Sequence, residues 1–171
     1  MWAIVLLAVL GAFVLFGGVF VVLGIYGVRK YIANAKTAEA YNSLGQIAKD
    51  ATAQYEKETI DLGAVTHRIC PSASRSVPAS LSMVSGKKYQ SAPDDWTVDA
   101  PMHAGFACLE YSMDMPQYYV YSYEASPSAF TATAQGDLDG DGPPSTFRVR
   151  GAVSGGMLQV APNIEAQDPH E

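Results

Sequence analysis

The 171-residue sequence predicts an α+β fold: a long N-terminal helix, transmembrane then an amphipathic stalk, packed on a C-terminal antiparallel β-meander of three to four strands. Three observations predict it. From Trp2 to Gly27 there is no Asp, Glu, Lys, Arg or His. Beyond that run, apolar residues recur at helical spacing without a proline, and after Pro116 the period drops to two.

The uncharged run comes first. At about 1.5 Å of rise per residue it is long enough to cross a hydrocarbon core of about 30 Å, so residues 1–28 read as a transmembrane helix. A signal peptide would show a basic start and a shorter apolar core, whereas the first basic residue is Arg29. Gly11, Gly17, Gly18, Gly24 and Gly27 lie in the run. They suit close helix packing in a bilayer, or a helix that bends locally during assembly, and both readings stay open.

Residues 29–58 continue the helix. Ala40, Leu44, Ile47, Ala51 and Tyr55 form one stripe, while Asn42, Ser43, Gln46, Lys49, Asp50 and Gln54 fall elsewhere around the axis. That stripe is expected to dock on a sheet. Residues 59–116 carry Pro71, Pro78, Pro93 and Pro101 with a serine-rich stretch, and read as an irregular αβ connection with Trp96 and Phe106 as buried anchors.

Residues 117–160 read as the antiparallel sheet. The runs at 118–125, 129–134, 146–150 and 157–160 alternate, and Ser126-Pro127-Ser128, Gly136 to Pro144, and Gly155-Gly156 separate them. Alternation sets Tyr119, Tyr121 and Tyr123 on one face, toward the helix. Residues 161–171 lack a large apolar cluster and read as a flexible tail.

Net charge is −6 with pI near 4.9, and the basic Arg29, Lys30 and Lys36 border the apolar run, so the domain beyond is more acidic still. Nucleic acid is excluded as a partner on that balance. The two cysteines, Cys70 and Cys108, form an even pair behind an apolar anchor, which predicts one disulfide in an oxidising compartment. The other reading is two buried thiols. Zinc does not fit, because neither cysteine belongs to a CxxC and His67, His103 and His170 show no ligand spacing. No GxSxG, P-loop, HExxH or dinucleotide turn occurs, so the chain reads as no enzyme.

Asp137-Leu138-Asp139-Gly140-Asp141-Gly142 matches the opening of a DxDxDG calcium loop. Asp137, Asp139 and Asp141 are therefore candidate metal ligands. The twelfth position, where a bidentate Glu belongs, is Arg148, and Pro143-Pro144 stiffen the intervening chain. An acidic, solvated turn between strands is the competing reading.

The run Arg29-Lys30-Tyr31-Ile32-Ala33-Asn34-Ala35-Lys36-Thr37-Ala38-Glu39-Ala40 resembles the pilin segment in which a basic and aromatic patch precedes Ala-Lys-x-x-Glu-Ala. The Cys-Pro-Ser-Ala run at Cys70, Lys88-Tyr89-Gln90, and Phe130 through Phe147 with its Gly-Asp-Leu-Asp-Gly-Asp-Gly turn are similar to pilin-like proteins of the myxobacterial kind. The chain thus resembles type IV pilins and pseudopilins, with matches from about Gly24 to Arg150. The resemblance implies a single-pass protein of the bacterial inner membrane, its domain extracytoplasmic, working as a structural or assembly protein of a type IV pilus or type II secretion-related system. Its implied partners are other pilin-like subunits or assembly proteins and the lipid bilayer.

The sequence departs from that pattern at the cleavage junction. Aligned on the Ala-Lys-x-x-Glu-Ala run, the mature start falls near Leu7 and the expected acid near Gly11, and neither the Gly-Phe junction nor the acid is present. A subunit that keeps its anchor is expected to stay in the membrane; a start upstream of Met1 would supply a leader but not the acid. Positively charged Arg29, Lys30 and Lys36 by themselves favour the cytoplasmic side; the resemblance favours the opposite placement. The alternative function is a tethered extracytoplasmic calcium-dependent binding domain outside any filament.

Overall fold

The structure, a computed structural model, describes the backbone of residues 2–57, 59–61 and 64–169, and the side chains there except at 3–10, 12–16, 29, 30, 33, 59–61, 64 and 65. One helix, α1, covers Trp2–Glu56. The chain divides into two compact units, Met1–Ala35 and Lys36–Glu171.

In the first unit, much of the expected span lies outside the described side chains. Among the described residues, no helix is long and apolar enough to cross a membrane. From Val19 to Val28 the large apolar side chains, Phe20, Leu23 and Tyr26 among them, are all more than half exposed. They follow one another without a polar interval, so apolar surface surrounds the helix there.

In the second unit the predicted stripe is the packed face of α1. Ala40, Leu44 and Ile47 are fully buried, with Ala51 and Tyr55 nearly so. The helix closes at Glu56, where the Lys57 amide reaches back to the Gln54 carbonyl at 3.3 Å. The sequence reading carried it to Glu58, which lies outside the described residues. His67 from the following segment sets Nδ1 2.9 Å from the Tyr55 carbonyl, one of the last-turn acceptors that helical pairing leaves open.

The connection holds a short hairpin, β1 (Thr59–Asp61) with β2 (Ala64–Thr66), then two one-turn helices, α2 (Pro93–Thr97) and α3 (Gly105–Leu109), and single 3-10 turns at Leu81–Met83 and Ala100–Met102. Cys70 and Cys108 are joined in a disulfide across 38 residues. Trp96 packs edge-on against Phe106 and Tyr111 at 5.0 and 5.4 Å, and its Nε1 donates to Ser91 Oγ at 3.0 Å. The indole thus finds both its apolar and its polar partner inside.

The sheet contains β3 (Val120–Ser126), β4 (Ala129–Gly136), β5 (Ser145–Ser154), β6 (Met157–Val160) and β7 (Glu165–Gln167). Strands β3 to β6 follow in order, all antiparallel, and β7 also pairs with β5. Tyr121, Tyr123, Phe130, Ala132, Ala134, Phe147 and Val149 face the helix, with Tyr119 just before β3 buried beside them, while Thr131, Thr133, Arg148 and Arg150 point away. Gly151 is small because Phe130 lies over it: a Cβ there would collide with the ring. The outer edge of β3 is laced to the connection, with Val77 and Tyr121 exchanging both backbone hydrogen bonds and Ala73 donating to Tyr123. That cover removes an edge that would otherwise invite pairing with another chain.

The C-terminal stretch corrects one expectation. Residues 161–171 were read as a flexible tail, yet β7 pairs Glu165, Ala166 and Gln167 with Arg148, Phe147 and Thr146. The reason lies in β5, whose ten residues outreach β6, so its far edge has room for two short partners. All three β7 residues are exposed, which is why no alternation announced it. Ile164 packing on the core, the Arg150–Glu165 ion pair and a hydrogen bond from Thr37 to the Pro169 carbonyl secure the stretch. The sheet therefore has five strands, the expected meander being the four from β3 to β6 and β7 an addition on the far edge of β5.

Candidate functional site

Three constellations carry the polar chemistry of the second unit. The first is where α1 grips the sheet. Lys36 Nζ donates to the Leu138 carbonyl at 3.1 Å and stands 4.9 Å from the Tyr118 ring centre, with Lys88 Nζ at the same distance from that ring. One turn on, Glu39 Oε1 accepts from the Tyr118 amide at 2.9 Å and the Tyr121 hydroxyl at 3.1 Å. Burial raises the Glu39 carboxyl above its ordinary range, opposed by the hydrogen bonds it receives. The Lys-x-x-Glu spacing is thus a two-point clamp holding the helix to the start of β3 and to the acidic turn. Sequence reasoning used Glu39 only to mark a resemblance, and Lys36 for that and for the charge beside the apolar run. Their position beside the buried stripe was the signal that they dock.

The second constellation is that turn. Asp137 is buried and its two carboxylate oxygens accept from Ser85 Oγ at 2.6 Å and the Gly140 amide at 2.7 Å. The Ser85 hydrogen bond, followed by the turn amides, holds the Asp137 carboxyl below its ordinary range. Asp139 and Asp141 are exposed. Lost hydration and then the charges of Asp139 and Asp137 push the Asp141 carboxyl up. One oxygen from each of the three lies within 4.8 Å of the others, so the structure brings the predicted ligands together. They do not complete a calcium loop, which takes six to eight oxygens and a bidentate Glu at position twelve. Arg148 occupies that position with a cation, and Asp137 already serves Ser85 and Gly140.

The third is the disulfide region. Cys70 and Cys108 are both buried and covalently joined, so the thiol reading gives way to the bridge. His67 and His103 are exposed, the first held by Tyr55 and the second at the C-terminal end of a 3-10 turn. Neither approaches a thiol that is free to react. Tyr118 is half-buried between its two lysines, and Tyr119 is fully buried against Phe147.

No family model, no curated protein and no solved structure matches the chain.

Proposed function

We propose that the chain is a membrane-anchored, non-enzymatic, pilin-like structural or assembly protein of a type IV pilus or type II secretion-related system. The observation that carries the reading is the division of labour along α1. Its stretch from Val19 to Val28 leaves large apolar side chains uncovered all round, as lipid or neighbouring helices require. Its later stretch buries one stripe on an antiparallel meander. The uncharged run from Trp2 to Gly27, the Ala-Lys-x-x-Glu-Ala segment and the disulfide support the same reading. In it the first unit packs among apolar helices in the bacterial inner membrane, and the second stands outside the cytoplasm to meet other pilin-like subunits or assembly proteins.

Deletion in the source cell tests this directly. Loss of pili or of secreted protein, restored by the intact gene, is expected; normal pili and secretion, with only lipid captured by crosslinking, removes the proposal. Mass determination of the protein from its native membrane then separates a resident from a processed subunit. An unprocessed N-terminus marks a resident anchor, and a shortened, methylated one marks a filament subunit.

A second reading, a tethered calcium-dependent binding domain, is favoured by one observation, the convergence of Asp137, Asp139 and Asp141. Calorimetry of the full chain in detergent decides it. Calcium heat that disappears in Asp139→Asn/Asp141→Asn supports a cation site, and a flat titration with no melting shift removes it.

A further inference from the structure

Opposite ends of the second unit carry complementary charges. Next to the disulfide is a groove of about 510 Å³ lined in part by Lys57, Arg68, Ile69, Pro71, Met102 and His103. Among the described residues no acid lines it, although every one of the 17 Asp and Glu residues lies in this unit. Asp139, Gly140, Asp141 and Gly142 form an exposed turn that rests against Gly86 at Gly140, while a Cβ at Gly142 would meet nothing within 4 Å. We infer that the groove is a docking surface for a second copy of this chain and receives its acidic 139–142 turn.

Electrostatics favours the exchange this requires. Lys57 is bridged to Glu110 at 3.0 Å, but both side chains are mostly exposed, and such pairs contribute little. Arg68 has interactions within its own molecule and lines the groove. The incoming turn brings two carboxylates where Glu110 offers one. One oxygen of each of those carboxylates and of Asp137 lies within 4.8 Å of the others, so a cation from outside relieves their mutual repulsion.

Geometry makes the contact intermolecular. The turn sits at Lys36, through the Leu138 carbonyl, and the groove sits at Lys57, just past the end of α1. That length of helix is about 30 Å. Two different surfaces therefore meet, so the contact is heterologous and copies join head to tail rather than as a two-fold pair. The pilin-like reading names the kind of partner but assigns no surface, and this contact goes beyond it.

The test uses the full chain. In native membranes treated with a zero-length carbodiimide, a peptide joining Lys57 to Asp139 or Asp141 is expected, with mixed isotopes when labelled and unlabelled copies are co-expressed. In detergent, Lys57→Asp/Arg68→Asp lowers self-association by at least tenfold in sedimentation, and mixing with Asp139→Lys/Asp141→Lys copies restores it. Lys57 joined instead to another protein, no such peptide while other lysine–carboxyl links form, or a swapped pair that associates no better than either variant alone, overturns the inference.

Discussion

Glu39 is the residue whose replacement separates a structural clamp from an incidental surface acid. Its Oε1 accepts from the Tyr118 amide and from the hydroxyl of Tyr121, a fully buried side chain. Glu39→Ala strips the acceptor from both, and a buried donor left unpaired costs about 1–3 kcal/mol. The hydroxyl of Ser43, also near Tyr121, offsets part of the loss, so the whole effect is expected at about 1–3 kcal/mol. Glu39→Gln keeps a carbonyl oxygen where Oε1 stands and removes the charge that burial disfavours. Its stability at neutral pH is therefore expected at or above the parent's.

The pH dependence follows from the direction of the shift. The folded carboxyl lies above its ordinary 4.5, so the native state holds the proton over a range where the unfolded chain has released it. Stability from this group thus rises as pH falls through the folded value toward 4.5 and is absent at neutral pH. Urea unfolding of the parent, Glu39→Ala and Glu39→Gln proteins in detergent, from about pH 7 down to about pH 4.5, measures it. The gap between parent and Glu39→Gln narrows on acidification. Comparing these two cancels the groups with the opposite sign, such as Asp137 and Glu110, whose carboxyls are held low. Glu39→Gln as damaging as Glu39→Ala, or a gap that widens toward low pH, refutes the clamp.

Leu44→Ala, at a fully buried position on α1, is expected to cost about 2–5 kcal/mol in denaturant unfolding, whereas Asn42→Ala on the exposed face stays within about 0.5 kcal/mol. Replacing Cys70 and Cys108 together by Ser frees a loop of 38 residues, and the chain-entropy relation puts the loss at about 4 kcal/mol, read against the parent under non-reducing conditions. Gly151→Ala drives a methyl into Phe130 and is expected to destabilise by about 1–3 kcal/mol, with Phe130→Leu in the same chain recovering part of it.

What was legible in the sequence was local or periodic. The stripe from Ala40 to Tyr55 and the alternation of Tyr119, Tyr121 and Tyr123 need only the repeat of one element, and both face the core in the structure. Asp137, Asp139 and Asp141 are neighbours in sequence, so their convergence followed from turn chemistry. The hydrogen bond from Ser85 to Asp137 spans 52 residues, and no period reports such a pairing. β7 stayed hidden for a different reason: three exposed residues carry no hydrophobic signal, and the strand exists because β5 is long enough to accept it. Lys36 and Glu39 stood in view as a motif, but their role needed the position of Tyr118 and Leu138, about eighty and a hundred residues away along the chain.

Alkaline extraction of native membranes tests the central claim most directly, since it strips proteins held by surface contacts and leaves those held by an apolar helix. The full chain is predicted to remain in the membrane pellet. Its release into the supernatant would contradict the account.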